Sequence, residues 1–470
     1  MDERHAQAAL TRAKPVPFWL DQPDAPPALP ALTGTDTAEL AVIGGGFTGL
    51  WTALQAKEAD PDRAVVLLEA RRIGAAGSGR NGGFCSASLT HGIGNGLERF
   101  GRELPQLDRL GRANLDQIGQ TVARYGIDCD FQPAGELAVA TQEWQLAGLR
   151  EAAEALAGLG HDAVLMDAAG VRAQLNSPTY AGGMWDPDGC AIVDPARLAW
   201  GLRRACLEAG VRMYEESPVL GVSAEPGPAV GLELRTAAGT VRAARAAVGT
   251  GAFSPLLRRL RYYVVPVYDY VLMTEPLSAA QLASIGWEHR QGVGDSANQF
   301  HYYRLTGDNR ILWGGYDAIY YYGSKIADAL DQRPATFEKL ALHFFETFPQ
   351  LEGLSFSHSW GGVIDTCTRF CAFFGTSLAG RLAYVTGYTG LGVGASRFGG
   401  RVMLDLLAGE PTELTELEMV RTRPLPFPPE PVRSAGINLT RWSLDRADKH
   451  EGRRNLWLRG LDRLGLGFDS

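Results

Sequence analysis

The stretch ELAVIGGGFTGL, residues 39–50, decides the fold. Its first five residues form an apolar run of buried-strand length, and that run ends at Ile43 in three glycines. Residues 48–58 then have helical character, and residues 64–69, AVVLLE, read as a second strand. Strand, helix and strand in this order predict the βαβ start of an α/β domain. Gly44-Gly45-Gly46-Phe47-Thr48-Gly49 fits the pattern G-x-G-x-x-G. Here Gly44 permits the tight turn, Gly46 lets backbone approach a pyrophosphate, and Gly49 lets helix and sheet pack closely. The helix that opens at this point offers free N–H groups and a positive dipole end to phosphates. Glu69 ends the second strand, twenty residues beyond Gly49. A carboxylate there accepts hydrogen bonds from ribose hydroxyls and repels a 2′-phosphate, which favours FAD or NAD over NADP.

A second match, Gly77-Ser78-Gly79-Arg80-Asn81-Gly82, has no apolar strand before it. It reads as a loop whose backbone comes close to a ligand. With one Rossmann start, the chain does not look like an enzyme that has separate FAD and NAD(P) domains. Further on, residues 384–394 (YVTGYTGLGVG) run from a short strand through glycines into a helix over 394–408. That helix N-terminus is suited to a developing anion, such as the reduced edge of a flavin.

The remaining composition is that of an ordinary globular protein. In 470 residues, 45% are hydrophobic and 21% charged, which suits two or three domains. The net charge of -8 argues against general affinity for nucleic acid or anionic membrane. Six cysteines show no CxxC pair and no Cys/His cluster, so reduced thiols in a cytoplasmic protein are expected, with no metal site. No apolar run is long enough to span a membrane. Residues 15–36 read as an extended arm rich in Pro, Ala and Thr. Residues 262–274, 300–305 and 310–316 read as Tyr- and Val-rich strands without intervening helices, hence an antiparallel sheet in a second domain. A helix is expected over 336–348, ended by Pro349. Residues 441–463 carry seven Lys/Arg against four Asp/Glu, as expected of a helix packed on its parent domain with solvated charges.

Taken together, several segments resemble the D-amino-acid-oxidase/glycine-oxidase (DAO) class of FAD-dependent oxidoreductases, closest to its gamma-glutamylputrescine oxidoreductase branch. They are AVIGGGFTGL (41–50), LLEA (67–70), GAAGSGRNGG (74–83), AVGTGAFSP (247–255), SWGGVIDTCTRF (359–370) and GYTGLGVGASRFGG (387–400). The resemblance implies an α/β fold: a Rossmann-type FAD-binding domain and an α+β substrate domain built on a mixed or antiparallel sheet. Boundaries follow as an arm over 1–37, a discontinuous FAD-binding domain over 38–95, 185–262 and 355–412, a substrate domain over 96–184 and 263–354, and a C-terminal helical extension over 413–470. It also implies FAD contacts from Gly44, Gly46, Phe47, Thr48, Gly49, Glu69, Ala70 and Arg71. Ser78, Gly79, Arg80, Asn81, Gly82 and Gly83 would lie beside the flavin. Val219 would meet the adenine through its backbone, and Gly249, Thr250 and Gly251 would close over the cofactor. Gly387, Thr389, Gly390, Leu391 and Gly392 would face the pyrimidine edge. Some relatives attach flavin to a cysteine near this region; Cys367 is the candidate, and non-covalent FAD is expected.

The expected reaction is oxidation of a C–N bond of a small amine or amino acid by hydride transfer to flavin N5, giving an imine that hydrolyses. Flavin carries the redox chemistry, so no acid–base triad is required. Dioxygen or another carrier would reoxidise it. Oxidation of a 2-hydroxy acid and NAD(P)H-driven hydroxylation are the alternatives. Substrate contacts are expected among Tyr270, His301, Tyr303, Arg304, Trp360, Arg369 and Tyr388. His301, Arg304 and Arg369 are candidates for holding an acidic substrate group, Arg304 equally for a surface strand charge. Most of the tyrosines between 262 and 322 are expected to be packing, a minority an amine box.

Overall fold

The computed structural model of the chain describes residues 3–224, 231–253 and 256–467. Ser254 and Pro255, the end of one quoted segment, lie outside them. Among the described residues, strand Gly34–Ile43 is at the heart of an eight-stranded sheet. Val65–Leu68 pairs with it in parallel on one side and Gly239–Val248 on the other. Arg212–Tyr214 and Leu382–Thr386 continue the sheet outward, also parallel. The first strand begins five residues earlier than its apolar pattern predicts. Gly34–Ala38 pair with Gly239–Ala243 at the solvent end of the sheet, where partly exposed side chains hide the apolar signal. Helix Phe47–Ala59 is buried along nearly its whole length, because the sheet and helices Pro195–Glu208 and Gly392–Ala408 enclose it. Such a helix is apolar all round rather than amphipathic.

The second sheet has nine strands among the described residues and is mixed, as expected. Val265–Thr274, Ile311–Gly315 and His301–Leu305 pair antiparallel in that order. Gly292–Asp295 then joins Glu136–Ala140 in parallel. Two expected boundaries fall differently in this sheet. Phe356–Thr366, read as part of the FAD-binding domain, pairs antiparallel with Val265–Thr274 over its whole length. Gly182–Asp186, which straddles the expected boundary at 184/185, pairs with Glu136–Ala140. Both strands pair only within the second sheet, so the chain leaves that sheet after them, at the turns that follow Asp186 and Thr366.

Helix Pro334–Thr347 covers one face of this sheet, and Phe344 and Phe348 are fully buried beneath it. The N-terminal segment is more than an extended arm. Helix Glu3–Leu10 places Ala6 and Ala9 in that same core, and the turn Phe18–Leu20 buries Trp19 against the other face. The C-terminal extension is helical, with Val432–Asp448 and Leu456–Arg463. It docks as expected on the parent fold: the Asp448 carboxylate accepts hydrogen bonds from Asn298 N (2.9 Å), Asn298 Nδ2 (2.6 Å) and Gln299 N (3.0 Å). No helix among the described residues is long and apolar enough to cross a membrane.

Candidate functional site

The strand order of the first sheet runs outward to both sides of Gly34–Ile43, with Val65–Leu68 on one side and Gly239–Val248 on the other, so the carboxyl end of Gly34–Ile43 is its topological switch point. Ligands of open α/β sheets bind in the crevice at such a point. Gly44 occupies it with φ +106°, and a Cβ there would come within 2.5 Å of Gly249 O. A Cβ on Gly49 would come within 1.8 Å of Gly44 O. Only glycine permits this approach of helix to strand. The helix begins at Phe47, and its N-cap, Gly46, has no side chain to cap it. Ser78 Oγ accepts from Phe47 N–H at 2.9 Å, tying the 77–83 loop to the helix start. Glu69 turns its carboxylate into the same crevice and accepts from Gly45 N–H (2.6 Å) and Arg71 N–H (2.8 Å). Burial pushes its pKa upward against the pull of those N–H groups. Arg71 pairs with Asp328 at 2.9 Å, and Ala70 is exposed. Val219 lies half-buried against the cluster that holds Val66 and Leu68, and Ser217 N–H donates to Glu69 O at 2.8 Å. Gly249 N–H donates to Ile43 O at 2.9 Å, so Gly249, Thr250 and Gly251 border the crevice from the second side. Thr48 Oγ1 donates to the buried Tyr388 hydroxyl at 3.0 Å. A side-chain-free helix start, a close glycine backbone and a carboxylate at the strand end fit the pyrophosphate and ribose of FAD.

The 77–83 loop runs from this crevice to the second sheet. Asn81 braces it internally: Nδ2 donates to Gly77 O (2.9 Å) and Ser78 O (3.0 Å), and Oδ1 accepts from Gly83 N–H (2.8 Å). Arg80 forms an ion pair with Asp331, and its Nε donates to Ala75 O at 2.8 Å. Two indoles then clamp the loop backbone: Trp360 donates to Arg80 O at 2.8 Å and Trp19 donates to Asn81 O at 2.9 Å. A Cβ on Gly82 would meet the Tyr302 ring at 2.7 Å, so loop and sheet are in direct contact there. Trp19 escaped sequence reasoning; a Trp within a Pro-rich arm was its only signal.

On the far side, Leu382–Thr386 leads through Gly387, Thr389 (φ +52°), Gly390 (φ +97°) and Leu391 into helix Gly392–Ala408. This helix too has no side-chain N-cap. Asp365 holds the turn: Oδ2 accepts from Gly387 N–H (2.7 Å) and Thr386 Oγ1 (3.2 Å), and its backbone carbonyl accepts from Thr389 N–H (3.2 Å). Burial pushes the Asp365 pKa up to about 6. A cavity of about 450 Å³ opens beside Thr250, Gly251 and Thr386, and its far wall is Glu430 and Arg433 of the C-terminal extension.

Strand alternation sorts the substrate candidates onto two faces. Tyr270, His301 and Tyr303 lie on the face away from the 77–83 loop. The Tyr270 hydroxyl is 2.8 Å from that of Tyr321 and donates to Leu330 O at 2.9 Å. The Tyr303 hydroxyl is 2.6 Å from that of Tyr180. His301 bridges Asp295 (2.7 Å) and His343 (2.9 Å) and stacks on Trp313. These three belong to the core beneath helix Pro334–Thr347. Arg304 is not a surface strand charge. It faces the loop side fully buried, donates to Val193 O and Leu305 O, and is 3.7 Å from Asp130. Arg369 spends its guanidinium on the carbonyls of Cys371, Ala372, Thr422 and Met419. Of the remaining two, Trp360 is fully buried with its indole on Arg80 O, and Tyr388 is buried with its hydroxyl hydrogen-bonded to Thr48. Tyr302, on the loop-facing side, donates its hydroxyl to Asp269. The lone acid Asp269 within an otherwise apolar strand was the signal for this pair.

Comparisons with known proteins agree with this geometry. Escherichia coli gamma-glutamylputrescine oxidoreductase is 35% identical over 382 residues, covering 80% of this chain and 84% of that protein. The crystal structure of glycine oxidase from Bacillus cereus superposes with a TM-score of 0.66 at 19% identity, covering 83% of this chain and 99% of that one. Glycine oxidase from Geobacillus kaustophilus gives 0.67 at 20% identity, over 82% and 99%. The sequence profile of one family, FAD dependent oxidoreductase, matches residues 39–406, which takes in the glycine crevice, Glu69, the 77–83 loop, strand Phe356–Thr366 and the final glycine turn alike. This chain therefore belongs to the FAD dependent oxidoreductase (DAO) family, and it is a flavoenzyme.

Proposed function

We propose that the chain oxidises a C–N bond of a small amine or amino acid, with hydride passing to FAD and the resulting imine hydrolysing in water. The observation that carries this reading is the 77–83 loop, which extends from the dinucleotide crevice to the face of the second sheet that bears Tyr302 and Trp360. Bound FAD supplies the two-electron acceptor. Glu69 would hold the ribose and the Phe47 helix the pyrophosphate. Ser78, Gly79, Arg80, Asn81, Gly82 and Gly83 would line the ring. The turn Gly387–Gly392 would place its N–H groups at the pyrimidine edge, with Asp365 as the positioning residue that fixes the turn. No member of this set must act as a general base, provided the amine arrives neutral. The similarity to a gamma-glutamylputrescine oxidoreductase and to glycine oxidases supports nitrogen-bearing substrates.

Deuterium on the α-carbon should slow anaerobic flavin reduction, because that C–H bond breaks. The rate should also rise with pH as the free amine loses its proton. A rate insensitive to α-deuterium under single-turnover conditions contradicts the hydride step.

Glu69→Ala should weaken FAD binding by ~1.5–3 kcal/mol, the loss of a charge-assisted acceptor. Titrating apoprotein with FAD checks it, and an unchanged affinity removes Glu69 from the site. The flavin should also be non-covalent. The Cys367 thiol is fully buried, lies 3.2 and 3.4 Å from the carbonyl oxygens of Cys371 and Gly387, and has its pKa raised by burial. A buried neutral thiol is a poor nucleophile. Acid precipitation should release all the FAD; flavin retained in the pellet, and lost in Cys367→Ser, overturns this.

A further inference from the structure

The loop-facing surface of the second sheet carries an acid, and the arginines on that side, Arg80 and Arg304, are both engaged elsewhere. Asp269 sits in Val265–Thr274 between Tyr268 and Tyr270, whose rings turn into the opposite core. Its own carboxylate faces the loop. Oδ2 accepts from the Tyr302 hydroxyl and Oδ1 from Tyr270 N–H at 2.8 Å. Asp269 pairs in register with Gly362, and a Cβ on Gly362 would lie 3.7 Å from Arg80 Cβ. Tyr302, for its part, packs against Gly82. Asp269 is thus across from the loop that would hold the flavin ring, and both Asp269 and Tyr302 are only partly buried.

The charges around it do not balance. Arg80 is engaged by Asp331 and by the carbonyls of Ala75 and Gly361. Arg304, on the same face, is held by Val193 O, Leu305 O and Asp130. Among the described residues, no cation pairs with Asp269. Its partners are neutral donors: the Tyr302 hydroxyl, the Tyr270 N–H and the Gly315 N–H. An ionised carboxylate has about four acceptor positions, so one stays available. Burial pushes the Asp269 pKa up to about 6, and among the described residues its carboxylate has no countercharge. A half-buried carboxylate in that condition is stabilised by any cation that reaches it.

We propose that Asp269, held by Tyr302, binds a cationic nitrogen of the substrate other than the neutral one on the carbon to be oxidised, and that this carbon carries no carboxylate. An α-amino acid would bring its own carboxylate to a surface that already holds Asp269. The arginines that could pair with it bidentately, Arg80, Arg304 and Arg369, are all committed elsewhere. The inference rests on the amine-oxidation reading and narrows it.

Matched pairs test it on the wild-type holoenzyme: ornithine and 1,4-diaminobutane, lysine and 1,5-diaminopentane. Each pair differs only by the α-carboxylate. Anaerobic flavin reduction should be ~10-fold or more faster with the amine in at least one pair, and with the amino acid in none. Faster reduction by amino acids overturns the proposal and leaves amine oxidation standing. If no pair reduces the flavin while a 2-hydroxy acid or NADPH does, amine oxidation itself fails, and the proposal with it. Asp269→Asn should retain its FAD and visible spectrum, raise the half-saturating amine concentration ~10-fold or more, and be partly rescued by Asp269→Glu. An unchanged half-saturation in Asp269→Asn also overturns the proposal.

Discussion

A carboxylate introduced as Gly390→Asp is expected to slow amine-driven flavin reduction ~100- to 1,000-fold, the range found when one stabilising donor to a developing anion is lost. Gly390 precedes helix Gly392–Ala408, whose N-terminus has no capping side chain. A Cβ at this position meets nothing within 4 Å, so the new side chain has room. Its negative charge would oppose the anionic reduced flavin at the helix end that should stabilise it. The backbone there has φ +97°, so strain must be separated from charge. Gly390→Asn supplies the same shape without the charge, and Asn tolerates positive φ better than most residues. Stopped-flow reduction and the flavin midpoint potential should both fall in the Asp variant and stay near wild type in the Asn variant. Equal losses in the two would assign the effect to strain and remove this helix end from the chemistry.

The second large effect lies in the crevice. Gly49→Val should yield protein largely without FAD and cost ~3 kcal/mol of stability. Its Cβ would fall 1.8 Å from Gly44 O, a backbone atom that cannot yield without displacing the turn. The control is Gly94→Ala in helix Gly92–Phe100, where a Cβ meets nothing within 4 Å. That change should leave FAD content intact and stabilise by ~0.5–1 kcal/mol. The FAD-to-protein ratio and the Tm of both variants check the pair. Full FAD occupancy in Gly49→Val would mean that helix and strand do not meet the cofactor as described.

The contrast between these two glycines explains what could be read in the sequence. The crevice formed by Gly44, Gly46 and Gly49 was legible because a tight turn and a close approach of helix to strand admit few residue types at a fixed spacing, and Glu69 was legible as the acid that ends the second strand beside it. The buried run after Gly46 and the Tyr-rich strands were legible from their apolar character. The phase of those strands was not. Tyr270, His301 and Tyr303 carry the same residue types as an amine box, yet alternation turns them toward helix Pro334–Thr347. Only the pairing partners decide which face a strand residue occupies. Arg304 and Arg369 looked like anchors for an acid because an arginine's carbonyl partners are scattered along the chain, at Val193, Met419 and Thr422. Strand Phe356–Thr366 was placed within the FAD-binding domain, while it pairs with Val265–Thr274 of the second sheet. It leads directly into the Cys367–Gly387 region of the first domain with no break in composition.

The central claim is that this flavoenzyme takes its electrons from a C–N bond. Its most direct test is anaerobic exposure of the holoenzyme to an amine and amino-acid panel, a 2-hydroxy-acid panel and NADPH, with the oxidised flavin absorbance as readout. The account predicts that at least one amine or amino acid bleaches the flavin without any nicotinamide, while hydroxy acids and NADPH leave it oxidised. Bleaching by a hydroxy acid or by NADPH, with the whole nitrogen panel inert, would contradict it.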